Sequence, residues 1–183
     1  MRRFYFLTFL IFIFYFLSCK SKVSDYTQNF ESFPLFINKD TIFNNNDIVQ
    51  SIPTIDRYVS IPKNLPLQSK IKILLDSISI IYFHRLSIEV IGIDSSYDDQ
   101  KNLTINLKEK SDFKIPESLG SYQTWYDYFQ GSTGGLNTTT ILRESILQKD
   151  YKNDWISGLV VFYQGDSIGI WDHINLDGLI IRN

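Results

Sequence analysis

The sequence predicts an α+β fold: a two-layer, largely antiparallel sheet with two helices on one face. Three observations carry that expectation. Leu67, Ile71, Leu74, Leu75 and Ile78 recur at helical spacing. Leu86 to Ile93 and Leu103 to Leu107 alternate apolar with polar residues, as paired strands with one buried face do. Trp155 to Tyr163 is almost wholly apolar and β-prone, the mark of a central strand.

The chain opens with Met1-Arg2-Arg3, followed by Phe4 to Leu17 without a charge, and then Ser18-Cys19. A basic start, a short apolar core and a small residue ahead of a cut describe a secretory signal over residues 1–18. The apolar run falls short of the roughly 20 residues a spanning helix needs. Phe16-Leu17-Ser18-Cys19 resembles a bacterial lipobox, which makes Cys19 the expected lipidation site and first mature residue. Cys19 is also the only cysteine, so no intramolecular disulfide can form. Without Arg2 and Arg3 the chain carries 16 basic against 20 acidic residues, a net charge of −4. That balance argues against nucleic acid as a partner. The sequence contains no alanine and is rich in Ile, Asn, Phe, Tyr and Lys, so aromatic abundance alone does not mark a binding surface.

Residues 19–56 are polar, with scattered apolar positions, and are expected to act as a tether behind the lipid. Within them Phe33 to Ile37 is apolar enough to dock, and Asn44 to Asp47 is a turn. The domain is expected over 57–183. Arg57 to Ile61 is its first strand, ended by Pro62. Pro66 opens the first helix, whose stripe turns Lys70, Lys72 and Asp76 outward. Asp94 to Asp99 turns the hairpin between the two alternating segments. Gly131 to Gly135 is a glycine turn, and Asn137 or Thr138 caps a second helix running to Gln148. Gln164-Gly165-Asp166 turns the central strand, Ile168 to Trp171 returns, and Leu179 to Ile181 adds a last strand. The order is β-α-β-β-α-β with a C-terminal β extension.

Tests for chemistry return little. Gly131-Ser132-Thr133-Gly134-Gly135 has neither the glycine spacing of a nucleophile elbow nor the lysine of a P-loop. His84 and His173 lack metal spacing, and no cysteine pair or calcium loop exists, so no metal or cofactor is expected. A hydrolase using Ser132 and His173, with Asp172 orienting the histidine, is the enzymatic alternative. The density of aromatics in Tyr122 to Phe129, next to the glycine turn, points instead to binding. On a helix Trp125 and Phe129 share one face and are assigned to the core. Tyr126, Tyr128 and Gln130 are assigned to a surface contact, together with Ser132 and Thr133. Gly134 or Gly135 is expected at positive φ.

The chain also resembles the GerMN module of sporulation and germination proteins, over roughly Tyr58 to Asp166. Leu74-Leu75 matches the paired leucines of the family's first helix, and Leu103 to Leu107 is similar to its second hairpin strand. Gly131-Ser132 stands where the family places Gly-Ser before its second helix, and Val160 to Asp166 resembles its closing strand and turn. Asp76-Ser77 and Asn106 depart from the family's Gly-Pro and aspartate. The resemblance implies a non-catalytic, envelope-associated module of a kind common in lipoproteins, with a poorly defined ligand. The expected partners are the membrane, through the lipid anchor, and peptidoglycan or an envelope protein. A purely structural envelope protein is the third possibility.

Overall fold

The computed structural model describes residues 29–43, 48–95, 100–110, 114 and 122–182. The expected signal segment 1–18, Cys19, the expected turn 44–47 and residues 96–99 of the expected hairpin turn lie outside them.

The first element differs from expectation. Residues 30–43 and 48–56, assigned to the tether, belong to two long antiparallel strands. These hairpin strands are β1 (Phe30–Phe43) and β2 (Ile48–Pro62), in register from Phe30↔Pro62 to Phe43↔Ile48. A bulge between Leu35 and Phe36 explains why no alternation is visible. Phe33, Leu35 and Phe36 are all buried, so the period of two breaks within the strand. The expected strand Arg57 to Ile61 is the last part of β2, and it pairs with β1 in a separate two-stranded sheet.

Helix α1 (Leu67–Tyr82) matches the predicted stripe: Ile71, Leu74, Leu75 and Ile78 are buried. Pro66 stands at its N-cap, one place before the first turn. The helix ends where Phe83 and Arg85 both donate backbone N–H to the Ser79 carbonyl, with His84 and Arg85 left-handed at φ 48° and 64°.

Strands β3 (Ser87–Ser95) and β4 (Lys101–Lys108) pair antiparallel as expected. β5 (Gly158–Tyr163) then lies parallel to β4, from Asn102↔Gly158 to Leu107↔Tyr163. The second sheet is therefore mixed. A parallel pair needs a long crossover, and here it contains two helices, α2 (Trp125–Phe129) and α3 (Ser132–Leu147). The described residues hold three helices rather than two. On its other edge β5 pairs with β6 (Asp166–Ser167) and β7 (Leu179–Ile181). The predicted return strand Ile168 to Trp171 does not form. Ile168 turns into the core, and Gly169 takes φ 68°, which breaks the extended run. The chain leaves the sheet edge after Ser167 and rejoins it at Leu179, opposite Val160.

Helix α3 joins the hairpin to the rest by covering the free edge of β1. The Phe36 N–H donates to Ser145 Oγ (2.9 Å) and the Asn38 N–H to Asn137 Oδ1 (2.9 Å). Asn38 Nδ2 donates to the Leu136 carbonyl (3.0 Å) and Gln148 Nε2 to the Pro34 carbonyl (2.8 Å). Residues 34, 36 and 38 direct their backbone groups away from β2, so polar side chains of a helix replace a third strand. Proline at position 34 fits this edge, where its missing N–H removes no ladder bond. A second junction is Glu31, which accepts from Lys70 Nζ (2.5 Å), from Asn153 Nδ2 (3.2 Å) and from the Tyr151 hydroxyl. Burial pushes its carboxyl upward, but these donors, led by Lys70, outweigh that and hold it below the usual range.

Two outcomes follow from these junctions. Ser145→Val leaves the Phe36 N–H buried without an acceptor and should cost about 1–3 kcal/mol in urea unfolding. Thr133→Val, on the exposed first turn of the same helix, should stay within about 0.5 kcal/mol. Glu31→Gln should cost about 2 kcal/mol at neutral pH, because it removes the anion that Lys70 faces. The native pKa of Glu31 is depressed below the ordinary value of 4.5, so its contribution is present above that value and lost as pH falls through the native pKa. Unfolding curves of the two proteins should converge on acidification; a gap that is constant with pH would refute the assignment.

Candidate functional site

The aromatic stretch becomes a single turn and a half of helix. Thr124 caps it, its Oγ1 accepting from the Asp127 N–H at 3.1 Å. Asp127 Oδ2 accepts in return from the Gln123 N–H (3.2 Å) and the Thr124 hydroxyl (3.0 Å), a reciprocal arrangement that satisfies orphan donors. Trp125 and Phe129 are buried, as their shared face predicts. Tyr128 is buried too, with 9 % of its surface exposed, which corrects its assignment to the surface. Its ring meets Phe83 edge-on at 5.0 Å, and its hydroxyl lies 2.7 Å from His84 Nδ1. Burial, with Tyr122 and Asp127 adding to it, pushes the Tyr128 phenol up to about 12, so it stays neutral at physiological pH. Five helical residues cannot present one clean stripe, because their neighbours (the α1 terminus, α3 and the sheet) approach from several sides. Tyr126 is half-buried, edge-on to Trp171 at 5.7 Å, and Gln130 is the half-buried C-cap.

The glycine turn is shorter than expected. Only Gly131 takes positive φ (71°), as the N-cap of α3, which then begins at Ser132. Gly134 and Gly135 are helical, so their expected positive φ is corrected. Gly135 serves a different purpose: a Cβ there would lie 2.7 Å from both Cβ and O of His173. The excursion 168–178 crosses the helix at that point, and only glycine admits it. Asn137 and Thr138 are not caps but lie inside the helix. Thr138 donates to the Tyr128 carbonyl at 3.0 Å, locking α2 onto α3.

These contacts shape a groove of about 710 Å³ where the hairpin, the end of α1 and the start of α3 meet. Tyr128, Ser132 and Thr133 line it, together with Asn38, Asn137 and Tyr122. Tyr126 and Gln130, assigned to the same contact, are not among its walls. The hairpin's share, from Asn38 to Asp40 and Ser51, was invisible to sequence reasoning because it follows from the β1–α3 register. Gly131, the N-cap of α3, has no side chain to offer its first turn, and no acidic residue occupies that turn. The backbone here is strained. His84, Arg85 and Tyr122 are left-handed without being glycine, at about 1 kcal/mol or more each, and the Tyr122 carbonyl lies 3.2 Å from His84 Nδ1.

Ser132 faces the groove, whereas His173 is not among its lining residues, and no hydrogen bond joins the two. Among the described residues no three His, Cys, Asp or Glu side chains converge as a metal site would require. No family model matches the chain, and neither curated proteins nor solved structures provide a significant match.

The burial difference between Tyr128 and Tyr122 at the groove is testable. Tyr128→Ala should cost about 3–5 kcal/mol, as truncating a buried aromatic does. Tyr122→Ala, at an exposed position, should cost under about 1 kcal/mol. Thermal melts of the two variants measure this directly, and similar melting temperatures would contradict the packing.

Proposed function

We propose that this chain is a cell-envelope lipoprotein, held to a bacterial membrane through Cys19, whose domain is a non-catalytic binding or assembly module of the GerMN type. The apolar run Phe4 to Leu17 ending at the only cysteine supports the anchor. The succession α1, β3, β4, α3, β5, with the short α2 inserted before α3, supports the family reading, since it follows the helix and strand order read from the sequence.

One observation carries the binding role: Tyr128, Ser132 and Thr133 meet Asn38, Asn137 and Tyr122 around one groove. Their hydroxyl and amide groups share the groove with the apolar side chains of Phe83, Leu136 and Ile141, and the exposed Tyr122 stands beside them. Such a surface suits a polyhydroxylated ligand that stacks on an aromatic face and exchanges neutral hydrogen bonds, as a peptidoglycan glycan chain does. The Lys39 and Asp40 pair at the groove adds no net charge.

The test has two independent arms. Calorimetric titration of the detergent-solubilised full chain with peptidoglycan fragments should show saturable binding. Thr133→Arg and Tyr122→Ala should weaken it at least about tenfold without lowering the melting temperature appreciably. Binding that ignores both substitutions, or no binding at all, would overturn the groove as the site. Labelling cells with a fatty acid should mark the wild type and not Cys19→Ser; an unlabelled wild type in the soluble fraction would overturn the anchor.

A further inference from the structure

Glu109, one residue beyond β4, is a buried carboxylate with 5 % of its surface exposed. Its Oε1 accepts from the Tyr126 N–H (2.9 Å) and the Tyr163 hydroxyl (3.1 Å). Its Oε2 is buried and has no hydrogen-bond partner among the described residues, and none of their ion pairs includes Glu109. An unmatched charged oxygen in the interior is costly, and native structures rarely keep one without a use. The structural duty of Glu109 explains Oε1 alone; an amide oxygen at the same place would hold Tyr126 and Tyr163 without burying charge.

The two residues that hold this carboxylate also supply rings to an aromatic cluster. Trp171 stands edge-on to Tyr126 (5.7 Å), to Phe129 (4.9 Å) and to Tyr163 (6.1 Å). Phe129 is buried, while Tyr126, Tyr163 and Trp171 each keep part of their surface exposed. Burial, reinforced by Glu109, pushes the Tyr163 phenol upward, so it remains a neutral donor to Oε1. Rings packed edge to face beside a carboxylate, with no cation stacked on them among the described residues, offer the two things that recognise an organic cation: electron-rich faces and a counter-charge.

We propose that Glu109, Tyr126, Tyr163 and Trp171 form a site for an alkylammonium group, such as the amine of a lysine-like side chain. The ammonium donates to Glu109 Oε2 while its methylene stem packs among the rings. None of the four residues lines the groove described above, so this is a second site and does not depend on the first.

Calorimetric titration of the full chain with n-butylammonium and with n-butanol separates charge from apolar volume. Saturable binding of the amine and none of the alcohol is expected. Glu109→Gln keeps an oxygen for Tyr126 and Tyr163 but loses the anion, and should weaken amine binding at least about tenfold. Tyr126→Leu retains the backbone donor, removes one ring, and should weaken it several-fold; it decides the matter should Glu109→Gln fail to fold. A lysine-containing tripeptide that binds more tightly than butylammonium marks a peptide-borne amine, and equal affinity marks a free one. Equal binding of amine and alcohol, no saturation by either, or affinity untouched in both variants would overturn the proposal.

Discussion

The free edge of β1 is the constraint on which the rest of the structure depends. A two-stranded hairpin has little stability alone, because it lacks a layer against which to bury its apolar residues. Here α3 supplies both that layer and hydrogen-bond partners. Asn137 and Ser145 on the helix, and Gln148 at its C-cap, are each bonded to the β1 backbone, while Ile141, Leu142 and Ile146 fill the core. The helix therefore reads as only weakly amphipathic, yet it is well buried. Its Thr138-Thr139-Thr140 run is part of the same logic. Thr138 donates to α2, and Thr139 accepts from the Asn175 N–H of the C-terminal excursion at 3.2 Å.

Because α3 touches hairpin, α2 and C-terminal excursion at once, the positions of all three are correlated. The excursion brings His173 against the helix where Gly135 lacks a Cβ. At the far end, the Arg182 guanidinium donates to the carbonyls of Gln148 (2.9 Å) and Tyr151, satisfying acceptors where the helix stops. Burial lowers the pKa of Arg182, although a guanidinium stays charged at any physiological pH. Apolar contacts reinforce the same junction, with Phe33 of β1 lying 5.0 Å from the rings of both Tyr151 and Trp155. The groove at the other end of α3 is a product of this geometry: hairpin and helix start can only meet there once the edge bonds have fixed their register.

Two polar solutions in the interior contrast with each other. Glu31 is surrounded by donors, and each of its oxygens has a partner. Glu109 has donors on one oxygen only. The first is a structural tie between strand, helix and loop. The second leaves acceptor capacity beside half-buried rings, the difference from which a ligand can be inferred.

By itself the sequence determined the elements whose signals are local. The stripe from Leu67 to Ile78, the alternation across Leu86 to Leu107 and the apolar run into Tyr163 are each local signals; the helix and the hairpin strands form there, and the central strand forms from Gly158 rather than Trp155. The α+β class follows from them. Trp125 and Phe129 were legible as core because i and i+4 share a helix face. What only the tertiary structure decided depends on pairing between distant residues. The hairpin of β1 and β2 was hidden because its bulge interrupts the alternation and its edge partners lie about a hundred residues away in α3. The burial of Tyr128 needs Phe83 and His84, and the role of Gly135 needs His173. Of the five residues assigned to a binding surface, Tyr128, Ser132 and Thr133 reached one groove, and Tyr126 went to the ring cluster beside Glu109. Composition and spacing report how a segment buries its own face; they carry no record of which remote backbone that face will meet.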